Sequence, residues 1–242
     1  METQQDGNEV YRCVARTNME INKYWLCDDG RFNYQYTMDR SRVTVPMKNG
    51  IATEWTDTVS SMKAAFKGKK PTVLVGSDLT LEEGKMILEF AARNFQGSPV
   101  LHFGTPGITS AAQDKDEDKI LKRTSKTSNL HGMEKLGLKG FESLPSGTDS
   151  VIIFRGGRAQ LPKLTGVSVH GVGVFMEEEV PMFKSILPGT SFVEKDGTIV
   201  NYQGKEQRLR RAVNPLGQSK QLSEILMMWM HSGQSASQGV VA

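Results

Sequence analysis

Residues 71–104, PTVLVGSDLTLEEGKMILEFAARNFQGSPVLHFG, decide the fold. The apolar runs at 72–76 and 98–104 have the length and composition of buried strands. Between them, Thr80 is suited to cap a helix over 81–95, because its hydroxyl can accept a hydrogen bond from a free amide of the first turn. Strand, helix and strand in this order predict a βαβ unit, and therefore a parallel sheet covered by helices.

The pattern on both sides of this unit predicts further parts of the same sheet. Thr53 is expected to cap an earlier helix over 55–66, with an apolar stripe at helical spacing. That stripe consists of Trp55, Val59, Met62 and Phe66. The runs at 151–154 and 167–176 predict buried strands, and 218–231 predicts a last amphipathic helix. The predicted fold class is α/β, a Rossmann-like parallel sheet with flanking helices.

The N-terminal region has a different pattern. Residues 9–16 alternate apolar and polar side chains, as a half-buried strand does, and 42–47 is a short extended run. We therefore predict a small β-rich module over 1–49 and an α/β domain over 50–231. Residues 232–242 are polar and rich in serine and glycine, which predicts a disordered tail.

Two segments within the α/β domain predict irregular structure. Residues 105–148 are dominated by charges, serine, threonine and glycine, which predicts a long loop with one short helix at 114–123. Residues 191–204 predict a hairpin that turns at Asp196-Gly197, a dipeptide typical of tight turns.

Composition excludes several classes of protein. The 242 residues include 30 basic and 27 acidic side chains, a net charge of +3 that is too balanced to indicate nucleic acid or an anionic membrane. The two cysteines, Cys13 and Cys27, exclude a disulfide scaffold and fit a reducing cytoplasm. The N-terminus lacks the pattern of a signal peptide, and the apolar stretch at 225–230 is shorter than the roughly 20 residues that span a bilayer. We expect no nucleic-acid partner and no membrane insertion.

Few residues predict chemistry by themselves. Cys27 precedes Asp28-Asp29-Gly30, and a thiolate beside a glycine amide is a ligand of iron–sulfur clusters, although a single cysteine is more often structural. Cys13 is interpreted as a packed apolar residue. The histidines show no spacing typical of a metal site. They are His102, His131, His170 and His231.

Other motifs are weak. Gly171 and Gly173 begin a dinucleotide fingerprint in which Met176 replaces the third glycine. The acidic clusters at 114–118 and 177–179 are interpreted as solvated faces.

The arginines at positions 208, 210 and 211 allow two interpretations. They predict either a basic strand edge for an anionic partner or a solvated edge that resists aggregation. No Ser/His/Asp or Cys/His relay can be assembled from the spacing, so no catalytic residue is predicted.

Two segments, the first with a continuation, resemble one family. Residues 19–32, MEINKYWLCDDGRF, resemble the end of the iron–sulfur segment of molybdopterin-oxidoreductase-type proteins, in particular the large iron–sulfur (G) subunit of bacterial NADH-quinone oxidoreductase (complex I). Residues 39–47, DRSRVTVPM, resemble the continuation of that segment. Residues 186–207, ILPGTSFVEKDGTIVNYQGKEQ, resemble a stretch of the molybdopterin oxidoreductase domain. The resemblance spans most of 8–231 and is weaker over 105–170.

The resemblance implies a specific cofactor ligand. Four cysteines of that family hold one [4Fe–4S] cluster, and Cys27 matches the fourth ligand. The other three precede this position in the family and have no counterpart in this chain. Cys27 is therefore expected to bind a cluster only if upstream cysteines exist, and residues 1–49 are expected to be a remnant of an iron–sulfur domain. The chain is expected either to be truncated at both ends or to be a short subunit without its cluster.

The resemblance also implies roles for the 186–207 motif and for the absent cofactor. Five of its residues match the family and are interpreted as turn and packing residues, with Asn201 bonded to the adjoining backbone. They are Glu194, Lys195, Gly197, Asn201 and Gly204. Molybdopterin is not expected, since a C-terminal β domain and a metal ligand are lacking.

The expected function follows from the family. The chain is expected to be an accessory iron–sulfur or scaffold subunit, supporting electron transfer from NADH to quinone without an active site of its own. Its expected partners are the other subunits of the complex, and its expected location is cytoplasmic, peripheral to the inner membrane. Two alternatives stay open: a truncated, formate dehydrogenase-like molybdopterin enzyme, and a cofactor-free interaction subunit that binds through 105–148.

Overall fold

The computed structural model describes residues 1–104 and 128–232, and all of the following elements lie within these ranges. The strands are β1 (Glu2–Asp6), β2 (Glu9–Val14), β3 (Met47–Lys48), β4 (Ile51–Ala52), β5 (Thr72–Gly76), β6 (Val100–Phe103), β7 (Lys139–Gly140), β8 (Ser150–Phe154), β9 (Ser168–Gly173), β10 (Ser185–Pro188), β11 (Gly197–Val200) and β12 (Glu206–Leu209). The α-helices are α1 (Asp28–Phe32), α2 (Trp55–Ala65), α3 (Leu81–Asn94), α4 (Leu130–Lys135), α5 (Met176–Glu179) and α6 (Leu222–His231), with 3₁₀ helices at Asn33–Met38 and Phe192–Glu194.

Eight strands form one sheet in the order β4-β3-β10-β9-β8-β5-β6-β7. Neighbours from β10 to β7 are parallel, and the short strands β3 and β4 are antiparallel. The hairpins β1–β2 and β11–β12 are separate two-stranded sheets. The α/β prediction is confirmed, and β5–α3–β6 is the predicted βαβ unit.

The central strands are buried on both faces. Val73 and Val75 on β5 point into the core beneath α2, α3 and α6, whereas Leu74 points to the opposite face. This alternation follows from the two-residue period of a strand. The predicted stripe on α2 lies in the core on the helical side. Connecting segments and the short α5 cover the other face, where Phe183 packs.

The predicted helix caps differ in outcome. Thr80 caps α3 as predicted: its Oγ1 accepts from the Glu83 amide at 3.2 Å, and the Glu83 carboxylate accepts from the Thr80 amide at 2.8 Å. The helix begins at Trp55 as predicted, but the predicted cap at Thr53 is wrong, because Glu54 is the N-cap of α2. The Thr53 hydroxyl instead shares a hydrogen bond with the Thr58 hydroxyl, at 2.5 Å.

The hairpin at 191–204 turns at a different place from the one predicted. Gly197 begins β11 rather than forming a turn with Asp196, and the connection to β12 lies at 201–205. Asn201 forms that turn, since its side-chain oxygen accepts from two turn amides at 2.9 and 3.0 Å. The predicted bond between Asn201 and the adjoining backbone is confirmed, and the predicted turn at Asp196-Gly197 is wrong.

The predicted long loop is partly structured where the structure describes it. Within 128–148 lie α4 and β7, and Met133 of α4 is fully buried in the core. The predicted helix at 114–123 and the predicted tail from 233 onward lie outside the described residues. None of the helices within 1–104 and 128–232 is long and apolar enough to cross a membrane.

The main sheet extends into the N-terminal region. Met47 and Lys48 of β3 pair with Ile186 and Ser185 of β10, so residues on both sides of position 49 share one sheet. The boundary at 49 stays a prediction, with the hairpin β1–β2 as the part of 1–49 that forms its own sheet.

Candidate functional site

The candidate site lies where the direction of strand addition reverses. From β5 the chain proceeds to β6 on one side, and it later returns to β8 on the other side. In open α/β sheets, ligands bind at the carboxyl ends of the strands at such a switch point. The segments 77–80 and 155–159, which follow β5 and β8, meet there.

Asp78 fills the centre of this crevice. Its Oδ1 accepts from the Gly156 amide at 3.1 Å, and its Oδ2 accepts from the Ala159 amide at 2.9 Å. A Cβ at Gly76 would come within 2.7 Å of Oδ1, and one at Gly157 within 3.0 Å of Oδ2, so both glycines are needed for this approach. In dinucleotide-binding proteins, backbone amides at the switch point, including those of a helix N-terminus, bind phosphate groups. In this chain the switch-point amides of Gly156 and Ala159 lie in a loop outside the described helices, and the protein's own carboxylate occupies them.

A small cavity of about 170 Å³ remains beside Asp78. Its walls include Tyr36 and Arg158, whose guanidinium lies 5.1 Å from the Tyr36 ring centroid. Burial raises the pKa of Tyr36, and the Asp78 charge raises it further, so the phenol is neutral. The cavity is smaller than the roughly 300–1,000 Å³ of typical ligand pockets. Gly30, which follows Cys27, also lines it.

Arg155 forms a buried charge cluster next to the crevice. It pairs with Glu179 at 3.0 Å and with Glu178 at 2.7 Å. Burial lowers the pKa of Arg155, but the charges of Glu179 and Asp78 outweigh burial and raise it. The interpretation of 177–179 as a solvated face is wrong for Glu179, whose side chain is fully buried. Its ion pair with Arg155 offsets the cost of burying its charge.

A second buried pair joins the N-terminal region to the sheet. Arg42 Nη2 lies 2.9 Å from Glu194, and both side chains have no exposed surface. Arg42 also donates to the Thr37 carbonyl at 2.7 Å, and Glu194 accepts from the Leu216 amide at 2.8 Å. A buried ion pair is stable only with such extra hydrogen bonds.

A third pair lies next to the second. Lys195 Nζ donates to both carboxylate oxygens of Glu83, at 2.9 and 3.0 Å, and Glu83 also caps α3. The structure therefore corrects the interpretation of Glu194 and Lys195 as turn and packing residues: each makes a buried ion pair. Sequence reasoning missed these pairs, because the partners are 152 and 112 residues apart.

Cys27 lies directly before α1 and is half-buried. Its Sγ accepts from the Gly30 amide at 3.4 Å, as an N-cap does. Cys13 is buried as predicted, and burial raises the pKa of its thiol. Across 1–104 and 128–232, no group of three or more His, Cys, Asp or Glu side chains is placed to hold a metal ion. Since a [4Fe–4S] cluster takes four ligands, the described residues by themselves do not fit one.

The remaining candidates serve packing. Gly171 and Gly173 lie inside β9, where they face the Ile153 carbonyl and the Glu179 carboxylate, so they form no phosphate loop. His170 is buried against the Phe66 ring. The four histidines have separate neighbours and do not converge on one site.

The sequence did carry a signal for the crevice. One residue, Ser77, separates Asp78 from the run TVLVG, and one residue, Arg155, separates Gly156-Gly157 from VIIF. Polar residues and glycines directly after buried strands indicate a site at a sheet edge. The pairing of the two segments required knowledge of the strand order.

Comparison with known proteins shows which proteins the chain resembles. Residues 173–228 match the molybdopterin oxidoreductase family. The chain is 27% identical to NADH-quinone oxidoreductase subunit 3 of Thermus thermophilus over 245 aligned positions, which cover 87% of this chain and 30% of that protein.

Two further relatives agree. The G subunit of NADH-quinone oxidoreductase from Streptomyces coelicolor is 29% identical over 34% of this chain and 11% of its own length. The mitochondrial NADH-ubiquinone oxidoreductase 78 kDa subunit of Candida albicans is 25% identical over 64% of this chain and 20% of its own length. The chain thus spans less than a third of the length of these relatives. The resemblance is confirmed as a similarity: the chain is similar to subunits of NADH-quinone oxidoreductases, and its residues 173–228 match the molybdopterin oxidoreductase family.

Proposed function

We propose that the chain acts as a scaffold subunit, or as part of one, in an NADH-quinone oxidoreductase, and that its α/β unit catalyses no reaction of its own. The observation that carries the proposal is the Asp78 carboxylate on the Gly156 and Ala159 amides. The switch point of the sheet, where a related enzyme would bind its ligand, is used in this chain to tie two loops together.

The charge pairs support a structural role. Three buried ion pairs connect segments that are separated in the chain. In each, a nitrogen of the cation lies within 3.0 Å of a carboxylate oxygen. Such pairs contribute little net stability compared with apolar packing, but a broken pair is costly, so they favour a single arrangement of loops. A rigid body with a filled crevice suits a subunit that positions other chains.

We propose Cys27 as a cluster ligand only together with three cysteines upstream of Met1. The half-buried position of Cys27 and the Gly30 amide at 3.4 Å from its Sγ support this role. A bound [4Fe–4S] cluster would supply one-electron transfer. Without upstream cysteines, Cys27 is a thiol that caps α1.

The partners and the location belong to the same proposal. The relatives are named as subunits of NADH-quinone or NADH-ubiquinone oxidoreductases, which supports assembly with other subunits. We propose that the chain lies on the cytoplasmic side, peripheral to the inner membrane through the complex.

Capture of the complex tests the scaffold role. The tagged full chain is expressed at native level, captured from detergent-solubilised membranes, and its partners are identified by mass spectrometry. We expect other NADH-quinone oxidoreductase subunits to co-purify, and an untagged strain is the control. Purification without those subunits, from extracts in which the complex is intact, would contradict the proposal.

Reading the in-frame coding sequence upstream of Met1 tests the cluster role. Three closely spaced cysteine codons in frame support Cys27 as a fourth ligand. A stop codon in frame with a ribosome-binding site before Met1 rejects the cluster role and leaves the scaffold role standing.

The molybdopterin enzyme is the second candidate, favoured by the family match over 173–228. Asp78 and the small cavity oppose it, because a pterin dinucleotide needs free amides and more space. Denaturation of the purified chain in air tests it: release of a fluorescent oxidised pterin would favour the enzyme over the scaffold.

A further inference from the structure

An open groove of about 680 Å³ lies beside the N-terminal hairpin. One wall is β1, and the other consists of the consecutive residues 208–212 at the end of β12. Phe192, Val193 and Leu209 add apolar surface to the lining. The volume is within the roughly 300–1,000 Å³ of small-molecule and cofactor sites.

Four arginines line this groove: Arg16, Arg208, Arg210 and Arg211. All four are exposed. Glu2 is the single acidic residue of the lining. Among the residues that the structure describes, no carboxylate forms an ion pair with any of these guanidinium groups. The groove therefore concentrates uncompensated positive charge.

The neighbouring lysines behave differently. Lys135 pairs with Glu206 at 2.5 Å, and Lys205 pairs with Glu20 at 3.2 Å. Glu206 and Glu20 are thus engaged by lysines, whereas the Asp196 carboxylate accepts from the Arg211 backbone amide at 3.2 Å. The arginines at 208–211 were open to two interpretations from sequence, and the addition of Arg16 from a distant part of the chain favours an anion-binding surface.

Both walls include a strand with an unpaired edge, although beyond β12 the amides of Arg211 and Ala212 already donate to the Asp196 carboxylate and the Val193 carbonyl. In the described part of the chain, β1 pairs with β2 alone and β12 pairs with β11 alone. Each strand therefore presents one unpaired edge, a template on which an extended segment of another protein adds as a strand. Single-stranded nucleic acids bind through several stacking aromatic rings, and Phe192 is the single aromatic side chain of the lining.

We propose that this groove binds an extended, acidic peptide segment of a partner protein. Carboxylates of the segment would accept paired hydrogen bonds from the arginine guanidinium groups, a geometry that arginine favours. Binding at the groove does not depend on the assignment to NADH-quinone oxidoreductase.

Fluorescence anisotropy with a defined probe tests the proposal. The probe is a fluorescein-labelled peptide of about 12 residues that alternates Glu and Thr, long enough to span the groove as one strand. It is titrated with the full chain at about 50 mM NaCl, where screening is moderate. We expect saturable binding that weakens as salt is added, and no binding of the corresponding Lys–Thr peptide.

Matched double variants locate the binding. R208Q/R210Q removes two charges from the groove, and R40Q/R93Q removes two charges from exposed arginines outside it. We expect the groove variant to weaken binding about tenfold, since two exposed charge pairs contribute roughly 0.7 kcal/mol each. The control variant should change it less than about twofold.

Three outcomes would overturn the proposal. They are the absence of saturable binding, an equal loss in both double variants, and tighter binding of a thymidine oligonucleotide of equal charge than of the peptide. Circular dichroism of each variant verifies that the chain is folded.

Discussion

The α/β unit, residues 42–231, buries charged side chains, whereas the N-terminal segment, residues 1–38, exposes large apolar ones. In the α/β unit, Arg42, Glu179, Glu194 and Lys195 are all at most 2% exposed. The most exposed large apolar residues of the N-terminal segment are Tyr24 at 64%, Trp25 at 61%, Met19 at 60%, Tyr11 at 56% and Phe32 at 54%. In most proteins charged side chains are exposed and large apolar side chains are buried. Both regions therefore depart from this distribution, the α/β unit in its charged and the N-terminal segment in its apolar side chains.

The difference shows where each region obtains its stability. The α/β unit has two large cores, one on each face of its sheet, and can hold buried charges because every one is paired. The N-terminal segment contributes Val10 to a cluster completed by Val193 and Val213 of the other region. Its order therefore depends on contacts with the α/β unit.

The Arg42–Glu194 pair of the α/β unit, in which Arg42 also donates to the Thr37 carbonyl of the N-terminal segment, is predicted to be among the most sensitive points. Substitution R42M leaves the Glu194 carboxylate buried without its cation, which costs about 3–5 kcal/mol. Chemical denaturation followed by fluorescence measures the free energy of unfolding. The control R40M alters an exposed arginine two residues earlier and should cost less than about 0.5 kcal/mol.

A double variant sharpens this prediction. Adding Glu194→Gln to R42M removes the unpaired charge, so the double variant should be more stable than R42M alone. A double variant that is less stable than R42M would show that the pair is not coupled in this way.

Asp78 is predicted to stabilise the crevice of the α/β unit. Substitution D78A removes both hydrogen bonds to the Gly156 and Ala159 amides and costs about 2–3 kcal/mol. The freed amides should then bind an anion, so phosphate should raise the melting temperature of D78A more than that of the unaltered chain. The control D57A, at an exposed position on α2, should show neither effect. Equal phosphate effects in all three proteins would argue against an amide site.

Acid is predicted to destabilise the α/β unit through His170. Burial, together with the charges of Lys184 and Lys69, lowers its pKa from 6.5 to about 4. The unfolded chain therefore binds a proton that the folded chain does not, and stability is lost as the pH falls below 6.5. Between pH 7 and pH 5 the free energy of unfolding should fall by about 2 kcal/mol through this group.

The variant H170Q tests whether His170 causes this loss of stability in acid. Between pH 7 and pH 5, its free energy of unfolding, measured by urea denaturation at both values, should fall less than that of the unaltered chain. Burial also lowers the pKa of His102, so His102 accounts for part of the fall that remains in H170Q. An unchanged fall in H170Q would assign the effect to other groups.

The smallest effect is expected in the N-terminal segment. Trp25→Ala should change the free energy of unfolding by less than about 0.5 kcal/mol, because 61% of the side chain is already exposed. Trp229→Ala on α6, where 4% is exposed, should cost about 3–5 kcal/mol. Comparable losses for both tryptophans would show that the N-terminal segment has a core of its own.

The sequence by itself predicted the features that depend on local periodicity. The apolar run of β5, the stripe on α2 and the Thr80 cap of α3 each involve residues at most a few turns apart. Burial of one face imposes a regular spacing of apolar side chains, and this spacing can be read directly. The motifs around Cys27 and at 186–207 likewise indicated the similarity to subunits of NADH-quinone oxidoreductases.

Only the tertiary structure decided which polar groups meet. Arg42 and Glu194 are 152 residues apart, Glu83 and Lys195 are 112 apart, and Asp78 reaches amides 78 and 81 positions away. Arg16, which is also far from them in the chain, lines the same groove as Arg208, Arg210 and Arg211. Apolar periodicity indicates that a side chain is buried, but it does not indicate which side chain or amide it contacts. That contact depends on the order of strands in the sheet. The sheet order, unlike the strands themselves, has no local signal.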